Sequence, residues 1–107
     1  MRVKRERFGI MKKAPQPKNE AARLKALDEY RILDTAPERA FNDIIELASF
    51  ICETPIAFMS LVAEDRQWFK AAKGIKLNQT PRDDAFCSYT ILNPEVLIVE
   101  DAAKDVR

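Results

Sequence analysis

Apolar residues repeat at helical spacing in two stretches of the first half of the chain. In the first stretch, Leu24, Leu27 and Tyr30 recur at intervals of three, which predicts a helix over about residues 20–32. Asn19 stands directly before this stretch and suits the N-cap position. Because the apolar stripe is narrow, we expect this helix to lie on the surface or to pair with another helix.

The second stretch begins with a helix-start pattern and carries a broader apolar face. Residues 35–38 match a capping box, in which Thr35 accepts from the amide of Glu38 and Glu38 reaches back to Thr35. Pro55 blocks continuation, so the helix should end near Glu53. The predicted core face consists of residues at intervals of three and four: Phe41, Ile44, Ile45, Ala48, Ile51 and Cys52.

Two strands follow and predict a hairpin. Residues 56–63 form a nearly continuous apolar run, which is typical of a strand covered on both faces, and residues 68–73 return after a polar turn. A turn centred on residues 65–66 sets Phe69 opposite Val62. This register assigns Phe58, Ser60, Val62, Phe69 and Ala71 to one face, and Met59, Leu61, Ala63, Trp68 and Lys70 to the other.

The remaining residues predict a loop, a short helix and a third strand. Residues 75–82 are polar and read as a loop. Asp83 or Asp84 can cap a short helix over residues 85–92, and Val96-Leu97-Ile98-Val99 predicts the third strand.

Composition and charge describe one small domain behind a basic leader. The chain has 107 residues, 47% of them hydrophobic and 33% charged, which are ordinary values for a globular protein. Residues 1–18 carry a net charge of +6, which predicts a disordered leader. Residues 19–107 carry a net charge of −5, and we expect them to form the folded domain. The acidic domain argues against nucleic-acid binding, and no apolar run approaches a membrane span or a signal core. We therefore expect a cytoplasmic protein.

Candidate chemistry is restricted because the chain has no histidine and two cysteines. This excludes histidine-based catalysis and most zinc sites, so no catalytic residue and no metal ligand is predicted. Cys87 stands near a helix start, where thiols become reactive, but Phe-Cys on an apolar helical face is typical of core packing. Cys52 is expected to be buried on the second helix. Trp68 is expected in the core, and the pattern leaves two places open for Phe69, with Phe58 and Ser60: a pocket wall or the core.

A series of short motifs in one order resembles the opening of a bacterial GAF domain. The resembling segments are 19–27, 30–38, 54–57, 60–62, 65–70, 80–83, 86–87 with 91–92, and 96–102, which together span residues 19–107. GAF domains of this type stand at the N-terminus of sensor histidine kinases and diguanylate cyclases. The resemblance implies an α+β fold of the GAF/PAS-like kind, an antiparallel sheet flanked by helices. It also implies that the C-terminal elements are missing, including a strand beside residues 56–63.

The function that this resemblance implies is regulatory rather than enzymatic. A small ligand or a homodimer partner would change the state of the domain, and a kinase or cyclase output domain outside this chain would respond. The candidate pocket residues are Phe58, Ser60, Phe69 and Cys87. No cofactor is expected, because the bilin-attachment order Asp-x-Cys-Phe is transposed in residues 84–87. The alternative is a redox enzyme of the free methionine sulfoxide reductase kind, with Cys87 reactive and Cys52 resolving.

Overall fold

The computed structural model describes residues 12–107 and confirms the α+β fold class. In this part of the chain, three helices flank a three-stranded antiparallel sheet with the strand order β1-β2-β3. The elements are α1 (Glu20–Tyr30), α2 (Arg39–Cys52), β1 (Ala57–Val62), β2 (Arg66–Lys73), β3 (Gln79–Pro81), a 3-10 turn (Arg82–Asp84) and α3 (Cys87–Thr90).

The start of α2 differs from the predicted capping box. The helix begins at Arg39, and Glu38 occupies the N-cap position with an extended backbone and no side-chain cap hydrogen bond. The hydroxyl of Thr35 instead donates to the carbonyl of Ile32 at 2.5 Å and accepts from Lys70 Nζ at 2.7 Å. A buried ammonium is a stronger partner than a backbone amide, so Thr35 pairs with Lys70 and does not cap α2. Asn19 does occupy the N-cap position of α1, again without a side-chain bond.

The end of α2 agrees with the prediction. The helix ends at Cys52, and Glu53 adopts a left-handed conformation with φ of 52°. Its amide donates to the carbonyls of Phe50 and Ser49, while the Ser49 hydroxyl donates to the carbonyl of Thr54 at 2.5 Å. These bonds satisfy the last helical carbonyls just before Pro55.

The hairpin forms as predicted, but its register differs. Ser60 pairs with Phe69 and Met59 with Ala71, so Lys70 is the extra residue of a β-bulge in β2. The predicted pairing of Phe69 with Val62 is therefore wrong, although Ser60 and Phe69 do share a face because they are direct partners. β1 is also less covered than predicted, since Phe58 is 38% exposed.

The third strand lies in a different place from the predicted one. Residues 79–81, expected to be loop, form β3 and pair with β2, whereas residues 96–99 form no regular structure. Val96 and Ile98 are exposed, because β-propensity alone cannot hold a strand without a neighbouring strand. The predicted helix over 85–92 shortens to α3, whose N-cap is Phe86 without a side-chain bond.

The core lies between α2 and the first two strands. Ile45 and Ser49 are the buried residues of α2, and Trp68, Phe69 and Ala71 are buried on β2. The burial of Trp68 confirms its predicted core position. Three residues of the predicted α2 core face are exposed instead, namely Ile44, Ile51 and Cys52. The sheet is too narrow to cover the whole apolar width of the helix.

The last part of the predicted leader contacts the domain. Residues 1–11 lie outside the described residues, so the leader prediction is not addressed there. Ala14 is buried, Lys12 donates its amide to the carbonyl of Arg107 at 2.8 Å, and Tyr89 donates its hydroxyl to the carbonyl of Lys12. The division of the chain at residue 18 stays a prediction.

Candidate functional site

An apolar cleft of about 400 Å³ lies between α1, β1 and α3. Its apolar walls come from α1, from the end of β1 and from the residue after α3: Ala26, Leu27, Tyr30, Leu61, Val62 and Ile91. Four polar side chains join them, namely Arg23, Ser60, Cys87 and Thr90. An apolar wall with a few convergent polar groups is typical of small-molecule sites, which occupy about 300–1,000 Å³.

Two of the predicted pocket residues meet in this cleft. The hydroxyl of Ser60 donates to Cys87 Sγ at 3.5 Å, which fixes the thiol against β1. Ser60 is positioned by its pairing with Phe69, and Cys87 by its place at the start of α3. The two elements meet although 27 residues separate the contacting side chains.

The other two predicted pocket residues form an aromatic pair outside the cleft. The rings of Phe58 and Phe69 lie 4.7 Å apart at 50°. Phe69 is 9% exposed and Phe58 is 38% exposed. Phe69 is therefore buried in the core, and it also lines two further clefts beside Lys70, of about 430 and 490 Å³. Its expected place in a ligand pocket stays a prediction. The four residues predicted from the sequence form two contacting pairs. The sequence did not predict the α1 side chains that line one wall of the cleft.

A buried ion network fixes the α1 wall of the cleft. Arg82 donates to both carboxylate oxygens of Glu20, at 2.5 and 3.2 Å, and Arg23 donates to the same carboxylate at 3.0 Å. Arg23 also donates to the carbonyl of Val62 at 2.5 Å, and Arg82 donates to the carbonyl of Ala63 at 3.2 Å. One carboxylate thus ties α1 to the 3-10 turn, and both arginines reach the end of β1.

The two arginines determine the ionisation of Glu20. The hydrogen bond from Arg82 is the main reason that the pKa of Glu20 lies below its usual value, and the bonds and charge of Arg23 act in the same direction. Burial opposes them, because it disfavours the charged carboxylate. At neutral pH, Glu20 is therefore an ionised carboxylate that binds Arg82 and Arg23.

A second set of contacts holds the segment before α2. Arg66 donates to both carboxylate oxygens of Asp34, at 2.8 and 2.7 Å, and this bidentate bond lowers the pKa of Asp34. Lys70, whose side chain is 0% exposed, contacts Thr35, the carbonyl of Ala36 at 2.6 Å, and Glu38 at 2.7 Å. The motif at 65–70 thus binds the motif at 34–38.

Sequence reasoning missed the residues of both networks. Glu20 and Arg82 are 62 positions apart, and Lys70 and Thr35 are 35 apart. No local pattern reports pairs at that separation. The one available signal was that Arg82 lies in segment 80–83, which resembles the GAF family. This resemblance drew attention to Arg82 but did not identify Glu20 as its partner.

The two cysteines are free in the structure, and their environments differ. Cys87 is half-buried beside Ser60, whereas Cys52 is exposed at the end of α2, so the predicted burial of Cys52 is wrong. Across residues 12–107, no three His, Cys, Asp or Glu side chains form a group that could hold a metal ion. The same residues include no helix with the length and apolar character needed to cross a membrane.

Comparison with known proteins gives one informative similarity. No family model matches the chain. The chain is similar to a cyclic di-GMP phosphodiesterase of Pseudomonas aeruginosa, with 39% identity over 93 residues. The matched segment is 87% of this chain and 16% of that protein, so the chain spans about a sixth of the relative's length. The similarity points to a signalling-related role.

This similarity corrects one sequence-based expectation. The sequence predicts a chain that is not an enzyme, but the relative is named for an enzymatic activity. The expectation that the chain is not an enzyme is therefore overturned, because the similarity points to an enzyme family.

Proposed function

We propose that this chain is a GAF-type regulatory module of a protein of cyclic di-GMP turnover, and that it binds a small ligand in the cleft between α1, β1 and α3. The output that responds is cyclic di-GMP hydrolysis rather than the kinase or cyclase first expected. The cleft carries the proposal, because it combines an apolar lining with the paired side chains of Ser60 and Cys87.

The lining selects the class of ligand. Alkyl and aromatic side chains make up most of the wall, while Ser60, Cys87 and Thr90 offer hydrogen-bonding atoms beside them. A molecule that fits is small and largely apolar, with one polar group directed at these three residues. An aromatic acid or alcohol of one or two rings has this character.

The ion network supplies a route from the cleft to α1. Arg23 lines the cleft and also binds Glu20 and the end of β1. A ligand beside Arg23 therefore touches a residue whose other bonds position α1 on the domain. A signal passes if the ligand favours one of two positions of the helix over the other.

Ligand binding tests the proposal with matched variants of α1. Saturation-transfer NMR on the full chain would use indole, benzoate, benzyl alcohol and cyclic di-GMP as separate probes. Ala26→Trp fills the cleft, whereas Ala21→Trp adds the same bulk to an exposed site of the same helix outside the cleft. We expect a probe that binds the natural chain and Ala21→Trp but not Ala26→Trp.

Three results would oppose the proposal. Transfer that is unchanged in Ala26→Trp would place the probe elsewhere, and no transfer to any probe would remove the ligand class proposed. If cyclic di-GMP were the one probe that binds, the chain would bind the substrate named for the relative and not a separate regulatory ligand. Circular dichroism of both variants would verify that they fold.

A further inference from the structure

Arg23 is the charged residue in the wall of the cleft between α1, β1 and α3. Among the described residues that line this cleft, every other side chain is alkyl, aromatic, hydroxyl-bearing or a thiol. The Arg23 side chain is 18% exposed, so it is within reach of a molecule in the cleft. A guanidinium group in a largely apolar wall calls for a partner, because desolvation disfavours an unpaired charge.

The hydrogen bonds of Arg23 leave part of its donor capacity unused. Nε and Nη2 each donate to the Glu20 carboxylate at 3.0 Å, and Nη1 donates to the carbonyl of Val62 at 2.5 Å. A guanidinium group has five N–H groups, two of them on Nη1. The second N–H of Nη1 therefore has no acceptor within residues 12–107.

The ion network beside the cleft has one more positive charge than negative. Arg23 and Arg82 contribute two positive charges, and Glu20, which both of them bind, contributes one negative charge. Their side chains are 18%, 8% and 11% exposed, respectively. In the described part of the chain, the other acceptors of the two arginines are backbone carbonyls, which carry no net charge. The network therefore carries a net charge of +1, and its most accessible member is Arg23.

We propose that Arg23 determines the specificity of the cleft by binding a carboxylate of the ligand. This inference rests on the proposed function and deepens it, because it selects an aromatic acid over an aromatic alcohol. A carboxylate accepts the unused N–H of Nη1 and brings the charge of the network from +1 to zero. Hydrogen bonds from arginine to a carboxylate are roughly twice as strong as bonds between neutral groups.

The position of Arg23 allows it and Ser60 to contact one ligand. The bond to the Val62 carbonyl places the guanidinium group beside β1, two residues along the strand from Ser60. Two residues of a strand span about 7 Å, so Arg23 and Ser60 line the same stretch of the cleft. The apolar walls, which include Leu27 and Leu61, stay available for the ring of the acid.

Benzoate and benzamide form a matched pair of probes, because they share a ring and a planar polar group but differ in charge. Titration of the full chain by NMR would measure both dissociation constants. We expect benzoate to bind about tenfold more tightly, since a hydrogen bond to a charged group exceeds a neutral one by about this factor in affinity. The side-chain N–H resonances of Arg23 should shift further with benzoate than with benzamide.

Replacing Arg23 tests its part in this preference. Arg23→Gln removes the charge and should make the affinities for benzoate and benzamide equal. Arg39→Gln removes an arginine that is 94% exposed and lies outside the cleft, so it should keep the preference. Circular dichroism would verify that both variants fold. If Arg23→Gln unfolds, Arg23→Lys keeps the charge without the planar fork and should lose part of the preference.

Two results would overturn this inference alone. One is an equal affinity of the natural chain for benzoate and benzamide, and the other is an undiminished preference in the Arg23 variant that folds. In both cases, binding that Ala26→Trp abolishes would keep the proposed function. If benzoate, benzamide, indole and benzyl alcohol all fail to bind, the proposed function and this inference are both wrong.

Discussion

Buried basic side chains are the most informative single residues of this chain. Arg82 is 6% exposed and Lys70 is 3% exposed, yet each has acceptors for its donors. Charged groups are rarely buried to this extent without partners, because desolvation disfavours the ionised form. Each of the two therefore fixes the segment that supplies its acceptors.

Replacing Glu20 tests the network behind the cleft. Glu20→Gln removes the charge shared by Arg82 and Arg23, and we expect a loss of about 3 kcal/mol in the free energy of unfolding at pH 7. Urea unfolding would measure it. Glu29→Gln, an exposed change on the same helix, should have little effect and serves as the control.

The same variant gives a pH dependence of defined sign. The folded-state pKa of Glu20 lies below 4.5, so its contribution is complete above pH 4.5 and is lost as the pH falls through the lowered value. The stability difference between the natural chain and Glu20→Gln should therefore shrink on acidification below pH 4.5. A difference that stays constant down to pH 2 would contradict the role of the carboxylate charge.

Replacing Lys70 tests the attachment of the segment before α2. Lys70→Met keeps the length of the side chain but leaves Thr35 and the carbonyl of Ala36 without their donor. We expect a loss of about 1–3 kcal/mol, measured by thermal unfolding. Lys76→Met, in an exposed loop, is the control. Equal effects of the two changes would show that the contacts of Lys70 contribute nothing specific.

At the scale of elements, the periodicity of apolar residues correctly predicted the features that local sequence determines. The helical spacing and Pro55 gave α2 its end at Cys52, and the polar turn gave the hairpin. Lys70, the extra residue of the bulge, binds Thr35 and the carbonyl of Ala36, so no pattern within β2 reports this contact. Residues 96–99 have a strand-like composition and no strand partner, which composition cannot reveal.

Candidate site residues divide in the same way. Strand and helix patterns made Ser60 and Cys87 candidates, and the structure places both in the cleft, where their role in a site stays a prediction. Arg23, Ala26 and Leu27 were missed, because the sequence showed a narrow stripe on α1 without showing what it faces.

Two neighbouring isoleucines of α2 provide an element-scale prediction. Ile44 was expected in the core but is 53% exposed, whereas Ile45 is 6% exposed. Ile45→Ala should cost about 2–5 kcal/mol, because it opens a cavity against the sheet, and Ile44→Ala should cost far less. Urea unfolding would compare the two variants. Equal losses would mean that the helix is rotated from its position here.

At the scale of the whole molecule, the described residues form a thin domain with open apolar surfaces. Counted as whole residues, no large residue among 12–107 is less than 2% exposed. The cleft between α1, β1 and α3 is one of these surfaces, and it suits a small molecule.

Hydrogen exchange of the full chain, with and without the probe that binds, tests the central claim most directly. If the cleft is the regulatory site, the probe should slow amide exchange in α1, at the end of β1 and over residues 82–91, where the ion network joins these parts. Ala26→Trp should abolish the protection and Ala21→Trp should keep it. Protection confined to other parts of the chain, or binding with no change in α1, would contradict the account.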